Sequence, residues 1–304
     1  MERSELYYEE PIYRPPSEGK KSLLLTATVG CSFNCTFCIP YRHKKFRIRP
    51  IQEIKADIRK ARRIYGDHVE RIFLLDGNAF VIKPATLIEI TKTCYENHPR
   101  LQRISAYAHA KDILRKSDSE LKKIREAGLN LVYMGIETGD DELLEKINKH
   151  TTAAELTKAA QKLHKAGITL SGTIILGLAG ADPELSHRHA VKTANLINAM
   201  NPPSNQDWYI SALTLMIPKG TPIAVMYDRE EFIPLSQKGI LNELRTIIAH
   251  TSNDLQDCIF RSNHASNYLV LKGVLSQDKG NFLQKIEIAL RDPSILRPDF
   301  FRGL

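Results

Sequence analysis

Three of the chain's five cysteines fall within eight residues, Cys31-Ser32-Phe33-Asn34-Cys35-Thr36-Phe37-Cys38, directly after an apolar run at residues 22–30. The spacing is C-x3-C-x2-C, with an aromatic, Phe37, just before the last cysteine. Three thiolates on one tight loop can hold three corners of a cubane [4Fe–4S] cluster, whose irons favour soft sulfur ligands. The fourth iron then has no protein ligand and is open to chelation by a substrate or cofactor. A structural zinc site wants four ligands, and His43 could complete a Cys3His set. The paired C-x2-C repeat common in such sites is absent, however. An odd cysteine count and a length of 304 residues disfavour a disulfide framework. Cys94 and Cys258 stand alone and read as buried thiols.

Further segments with chemical potential sit at the ends of apolar runs. Leu74-Leu75-Asp76-Gly77-Asn78 ends one, and by itself its Asp-Gly pair reads as a turn. Tyr133-Met134-Gly135-Ile136-Glu137-Thr138-Gly139-Asp140-Asp141 ends another, followed by Leu143-Leu144, Ile147-Asn148-Lys149 and Thr151-Thr152. Its acids can also be read as charges favouring a helix N-terminus by about 0.3–1 kcal/mol, a role that suits Asp140 and Asp141 better than Glu137. Gly172-Thr173-Ile174-Ile175-Leu176-Gly177-Leu178 ends a third, where Gly177 would permit close backbone approach. A fourth is Leu213-Thr214-Leu215-Met216 with Pro218-Lys219-Gly220-Thr221-Pro222. Two polar sets are candidates for substrate. Arg103, Ser105, Tyr107 and His109 alternate and so share one strand face. Arg261, Asn263, His264, Ser266 and Asn267 cluster near the C-terminus and could close a site. Tyr107, His109, Arg261 and His264 are the candidate catalytic residues.

Together the cysteine loop and these strand-end segments resemble the radical S-adenosylmethionine (radical SAM) enzymes over residues 22–222. In that family a [4Fe–4S] cluster on three cysteines chelates SAM through its amino and carboxylate groups. One electron from the cluster then cleaves SAM to a 5′-deoxyadenosyl radical. The resemblance implies that Cys31, Cys35 and Cys38 are the cluster ligands and that Phe37 lies beside the adenine. It assigns the SAM ammonium to Gly77 and the carbonyl groups around it, with Asp76 facing it electrostatically. This chain has Asp-Gly-Asn where the family often has a Gly-Gly-Glu-like segment. Glu137 is assigned to SAM, and Ile175 and Gly177 to the adenine pocket, with Ala179 replacing the usual proline of that segment. The Gly-Ile-Glu-Thr-Gly segment is similar to that of the methylthiotransferase, elongator and oxygen-independent coproporphyrinogen oxidase branches. Methylthiotransferases use a second cluster, and Cys94 and Cys258 are too few to hold one, which disfavours sulfur insertion.

The implied activity is hydrogen-atom abstraction from a small anionic metabolite, with an electron donor such as ferredoxin or flavodoxin. The alternatives are modification of RNA or tRNA by the same chemistry, heme synthesis through the coproporphyrinogen oxidase branch, and a non-catalytic iron–sulfur protein. Net charge bears on the second. The chain carries +8 overall, and ten Lys or Arg residues lie between Arg42 and Arg63 against only Glu53 and Asp57. Arg42, Lys44, Lys45, Arg47 and Arg49 follow the cysteine loop directly and suggest an anionic partner. Lys55 to Arg63 read instead as a solvated helix face. Hydrophobic content of 42% and charged content of 26% are ordinary for a globular protein. No stretch approaches the ~20 apolar residues of a membrane span. The polar residues 1–13 do not read as a secretory leader, so a reducing cytoplasmic setting and oxygen sensitivity are expected.

The elements that must position these residues alternate. Strands are expected at 22–29, 71–75, 103–107, 130–136, 169–176 and 208–215. Helices are expected at 51–65, 84–97, 117–127, 152–166 and 183–200. Ser117-x-x-Glu120 and Thr152-x-x-Glu155 read as capping boxes, and both helices finish in Ala-Gly. Six β-α units imply parallel strands with helical crossovers, as a barrel or a doubly wound sheet. The resemblance selects an α/β partial (β/α)6 TIM-type barrel, with chemistry at the C-terminal strand ends. We expect an extended N-terminal arm at 1–21, the barrel at 22–222, and a mostly helical extension at 223–304 that packs on it. Helices at 241–252 and 282–290, joined by a polar stretch, make up that extension.

Overall fold

In the computed structural model, which describes residues 6–15, 18–19 and 22–303, apolar runs and amphipathic runs alternate as strands and helices. The remaining residues of the expected arm, 1–5, 16–17 and 20–21, lie outside the described residues. The chain divides into two compact units. One comprises Met1–Ser32, Pro40–Met134 and Lys162–Leu170; the other comprises Phe33–Ile39, Gly135–Gln161 and Ser171–Leu304.

The first unit opens with β1 (Ser22–Thr26) and the short β2 (Thr28–Val29), which pairs antiparallel with β3 (Arg47–Ile48). One continuous strand was expected over 22–29. It is broken at Ala27, because β2 leaves the line of β1 to pair with β3 and so brackets residues 30–46. Then follow α1 (Ile51–Tyr65), β4 (Arg71–Leu75), α2 (Pro84–Asn97), β5 (Arg103–Ala108), α3 (Ala110–Leu114), α4 (Asp118–Glu126) and, as far as Met134, β6 (Leu129–Glu137). β1, β4, β5 and β6 lie side by side and parallel, with Leu24 opposite Phe73 and Phe73 opposite Ser105. Their nearly continuous apolar sequences suit strands covered on both faces. In α1 the buried residues Ile54, Ile58 and Ala61 recur at helical spacing, forming the apolar stripe that a surface helix needs. Ser117 and Glu120 form the expected capping box at the start of α4.

The second unit contains α5 (Asp141–Lys146), most of α6 (Ala153–Lys165) and β7 (Thr169–Leu176), then α7 (Pro183–Ala199), β8 (Trp208–Thr214) and α8 (Pro222–Asp228). It ends with α9 (Gln237–His250), β9 (Cys258–Arg261), β10 (Lys272–Val274) and α10 (Leu275–Arg291). Thr152 and Glu155 exchange the expected capping bonds, at 3.0 and 3.2 Å. β7 pairs parallel with β8, and β8 with β9, while β10 returns antiparallel to β9. Sequence reading placed no strand in the extension. A four-residue strand that carries Arg261 leaves too little apolar alternation to be seen. The buried face of this sheet packs on helices, with the Phe260 ring 5.9 Å from that of Phe282 on α10.

Candidate active site

In the first unit, the chain reaches Cys31 through Gly30, whose φ of +70° favours a residue without a side chain. A Cβ on Gly30 would lie 2.9 Å from the Lys44 carbonyl oxygen, so glycine is also needed for space. The Gly30 amide donates to Asp76 Oδ2 at 3.1 Å, and Lys44 Nζ donates to the same oxygen at 3.0 Å. Lys44 Nζ also donates to the carbonyls of Glu9 (2.6 Å) and Pro11 (2.7 Å), so all three of its protons are placed. The Asp76 amide donates to Thr28 Oγ1 at 3.0 Å. Burial pushes the Asp76 carboxyl up, opposed by Lys44 and the Gly30 amide. The charge of Asp76 is therefore spent on fixing the backbone before Cys31. Gly77 lies against the same loop, since a Cβ there would sit 2.6 Å from the Tyr41 ring and 2.9 Å from Cys31 Cβ. Asn78 Nδ2 donates to Ser32 Oγ at 3.0 Å and to Asp112 Oδ2 at 2.7 Å.

The second unit includes residues 33–39, with Cys35 and Cys38. The Cys38 amide donates to the Cys35 carbonyl at 3.2 Å, closing a tight turn around the last two cysteines. The Thr36 amide donates to the Ile147 carbonyl (3.0 Å), and the Ile223 amide donates to the Thr36 carbonyl (3.2 Å). Phe37 packs with Leu215 against the buried cluster of Ile147, Ile175 and Leu178. Phe37 and Ile175, paired only by resemblance at the level of sequence, are thus brought together. Gly177 follows at φ +79°, and its amide donates to Glu243 Oε1 at 2.6 Å. Glu243 Oε2 accepts from Ser186 Oγ at 2.5 Å, so this fully buried carboxylate ties α7 and α9 to the end of β7.

Glu137 ends β6 with φ +65°, a left-handed backbone that costs an ordinary residue about 1–2 kcal/mol. Its Oε1 accepts from Lys149 Nζ at 2.6 Å, and both side chains are buried. Next along the chain, Thr138 Oγ1 lies 2.7 Å from His189 Nδ1 and accepts from the Asp140 amide at 3.0 Å. Asp140 caps α5 as its acid pattern implied, bonded to Arg188 (2.6 Å) and Lys192 (3.2 Å). Burial would raise the Asp140 carboxyl, but those two cations outweigh it and hold it below the usual range.

The remaining candidates are dispersed. Arg103 and Ser105 both contact the buried carboxylate of Glu18, from the arm, at 3.1 and 2.8 Å. Tyr133 donates to the same oxygen at 2.7 Å, so this end of the β5 face is filled by protein. Tyr107 stacks edge-on between Phe73 and Tyr133, at 4.9 and 6.0 Å. His109 caps α3, its Nδ1 accepting from the Lys111 amide. In the C-terminal cluster, Asn267 and Ser266 are buried against β8, bonded to Thr214. His264 Nδ1 lies 2.9 Å from Ser266 Oγ, and burial followed by the Arg297 charge lowers its pKa. Arg261 lies with its guanidinium 4.9 Å from the Tyr209 ring centre. Cys94 and Cys258 are fully buried, and burial pushes both thiols up, as expected of inert core cysteines.

The basic run is largely paired inside the first unit. Besides Lys44, Arg49 is buried against Asp57 (2.8 Å), Glu53 (3.5 Å) and the ring of Tyr7 (4.3 Å). Arg47 pairs with Glu9 at 3.2 Å. Sequence reading missed Lys149, Glu243, His189 and Glu18 as site or support residues. Only Lys149 carried a signal, its place in the segment after Glu137.

Comparison with known proteins then decides the family, since the sequence model of the radical SAM superfamily matches residues 25–186, more than half of the chain. The chain belongs to the radical SAM superfamily. It is 27% identical over 233 residues to a tRNA-2-methylthio-N(6)-dimethylallyladenosine synthase of Clostridium botulinum, a match covering 72% of this chain and 48% of that one. It is 26% identical over 173 residues to the bacteriochlorophyllide d C-8(2)-methyltransferase of Chlorobaculum tepidum, covering 53% and 37%. The chain therefore spans less than half the length of these relatives. Its fold is similar to that of the radical SAM enzyme coproporphyrinogen III oxidase of Escherichia coli (TM-score 0.52, 16% identity, covering 75% of this chain and 51% of that one).

These matches agree with the branch that the Gly-Ile-Glu-Thr-Gly segment resembles. The fold is α/β, a mostly parallel sheet with helices, as in the family's partial TIM-type barrel. The protein is a radical SAM enzyme, and its cofactors are a [4Fe–4S] cluster and SAM. The donor set fits. Three thiols on one loop supply the soft sulfur that iron–sulfur clusters take. Among the described residues no helix is long and apolar enough to cross a membrane.

Proposed function

We propose that Cys31, Cys35 and Cys38 hold the cluster and that the enzyme abstracts a hydrogen atom from a small anionic metabolite. When bound, the reduced cluster and SAM would supply a 5′-deoxyadenosyl radical, with methionine as the other cleavage product and 5′-deoxyadenosine as the product of hydrogen abstraction. The chain's own residues bind and orient. Phe37 with Ile175 and Leu215 offers an apolar seat for the adenine. Gly77 and Gly177 allow close packing where a side chain would intrude, against Tyr41 and Cys31 at Gly77 and against Ile240 at Gly177. Glu137, fixed by Lys149, presents a carboxylate to the ribose or amine of SAM. Asp76 contributes through the backbone of residues 30 and 77, its charge being engaged by Lys44. Reduction calls for an external one-electron donor such as ferredoxin or flavodoxin.

The observation that supports a small substrate over RNA is where the positive charge goes. A phosphate track needs accessible Lys and Arg. Lys44, Arg47 and Arg49, three of the five basic residues after the cysteine loop, are instead paired with Asp76, Glu9, Glu53 and Asp57. RNA is the other reading, favoured by the tRNA substrate named for the Clostridium botulinum relative. The test is 5′-deoxyadenosine formation by the anaerobically reconstituted, reduced enzyme, with cell RNA and cell small molecules added separately. Stimulation by the small-molecule fraction alone is expected. Stimulation by RNA alone would reject the proposal.

A further inference from the structure

β7, β8 and β9 each show two faces, because strand side chains alternate. The face of Phe260 packs on α10, and Gly172, Ile210 and Ile136 share it, since a Cβ on Gly172 would lie 3.0 Å from Ile210 Cδ1 and 2.4 Å from Ile136 Cδ1. The opposite face carries Thr173, Ser211 and Arg261. The register sets these three in one row across adjacent strands, with Thr173 opposite Ser211 and Ser211 opposite Arg261. All three are partly exposed rather than packed away. Among the described residues, neither hydroxyl nor the guanidinium has a hydrogen-bond partner, and Arg261 Nε is buried with its proton unpaired. The Tyr209 ring, on the same face, supports the guanidinium 4.9 Å from its centre, an arrangement that leaves the N–H edge of the guanidinium available.

The position of the row is informative. Ile175 and Leu213 are paired one step further along the same face, two residues or about 7 Å away. Ile175 is part of the cluster on which Phe37 packs. The row therefore lies two residues deeper along the strands than the seat proposed above for the adenine.

We infer that Thr173, Ser211 and Arg261 bind the carboxylate of a small organic acid, the substrate of this enzyme. Arg261 is the one charged residue in β7, β8 and β9. One guanidinium flanked by hydroxyls can take a carboxylate through two parallel N–H bonds, and its single positive charge balances one carboxylate but not a doubly charged phosphate. Ser211 donates a third bond, and Thr173 meets a polar group of the substrate one strand further on.

This inference rests on the small-molecule reading above, so the experiment separates the two. The full chain, cluster-loaded under anaerobic conditions with SAM, is incubated with the small-molecule fraction of a cell extract. Retained compounds are identified by mass spectrometry, and 5′-deoxyadenosine is measured in parallel. Wild type is expected to retain a carboxylate-bearing compound, R261Q about tenfold less or lower still, and S211A an intermediate amount. Esterifying the fraction with acidic methanol is expected to abolish both signals, while phosphatase treatment leaves them. Iron content and melting temperature check the loading and fold of R261Q. R261K, which keeps the charge but not the planar fork, serves if R261Q does not fold, and is expected to retain less than wild type. Equal retention by wild type and the folded Arg261 variant, or activity that survives esterification or is lost to phosphatase, would overturn the carboxylate site alone. Stimulation by RNA and not by the small-molecule fraction would overturn the functional reading, and the site with it.

Discussion

Lys44 to Met tests whether the backbone before the first cysteine is held by a buried ion pair. Lys44 and Asp76 are both largely buried, at 8% and 4% exposure, so neither charge can be passed to solvent. Removing the cation leaves the carboxylate with the Gly30 amide alone and strips donors from the Glu9 and Pro11 carbonyls. Breaking a buried pair from one side costs about 3–5 kcal/mol. At about 2–4 °C per kcal/mol for a chain of this size, the melting temperature should fall by about 6–20 °C. The double variant K44M/D76N keeps an acceptor for the Gly30 amide and buries no charge. It should recover about 2–3 kcal/mol relative to the sum of the two single variants.

The pH dependence has a definite sign. Burial raises the folded pKa of Asp76 above its unfolded value, so the fold favours the protonated acid. Its contribution to stability is greatest below the unfolded pKa, about 3.9, and is lost as pH rises through the raised folded value. K44M removes the cation that opposes this rise, so its melting deficit should widen with increasing pH and narrow as pH falls. The assay is thermal melting of the anaerobic, cluster-loaded protein at several pH values, with iron content measured alongside. Single-variant costs that simply add, or a K44M protein melting with wild type, would refute the assignment.

Replacing Cys31, Cys35 and Cys38 together with Ala should abolish the brown chromophore and SAM cleavage, and four irons retained by that variant would remove the cysteines from the cluster. Glu137→Ala should weaken SAM binding about tenfold or more, as loss of a charged hydrogen bond does, without changing iron content; equilibrium dialysis with SAM decides it, and unaltered affinity would exclude Glu137. Glu243→Ala strands the buried Gly177 amide and Ser186 hydroxyl at about 1–3 kcal/mol each, so it should lower the melting temperature; Glu243→Gln, which can keep both contacts, should lower it less. Equal melting of those two variants would show that the carboxylate does not hold the Gly177 turn.

The sequence by itself determined what is local. The cysteine spacing points to cluster chemistry because three thiols on eight residues are close in the chain whatever the remainder of it does. The parallel strands and their helices were legible because apolar runs and 3.6-residue periodicity act over single elements. β4, β7, α1 and α2 lie at their expected residues, and both capping boxes form. The short β3, β9 and β10 were not legible, since two to four residues carry no periodicity and are held by their partners.

Tertiary structure alone decided which charges are available. Lys44 and Arg49 look identical in sequence to a solvated or nucleic-acid-binding run, yet they are buried against Asp76 and Asp57. Asp76 looked like a group for the cofactor, and its oxygen is taken by an amide and an ammonium. Glu243 looked like an ordinary helix residue, and it holds the Gly177 amide 66 positions away in the chain. Arg261, one member of a polar cluster in the sequence, gains its setting only from the strand register that aligns it with Ser211 and Thr173. The physical reason is common to all four. The cost of burying a charge or an unpaired donor depends on what lies within about 3 Å of it, and that neighbourhood is assembled by folding from distant parts of the chain.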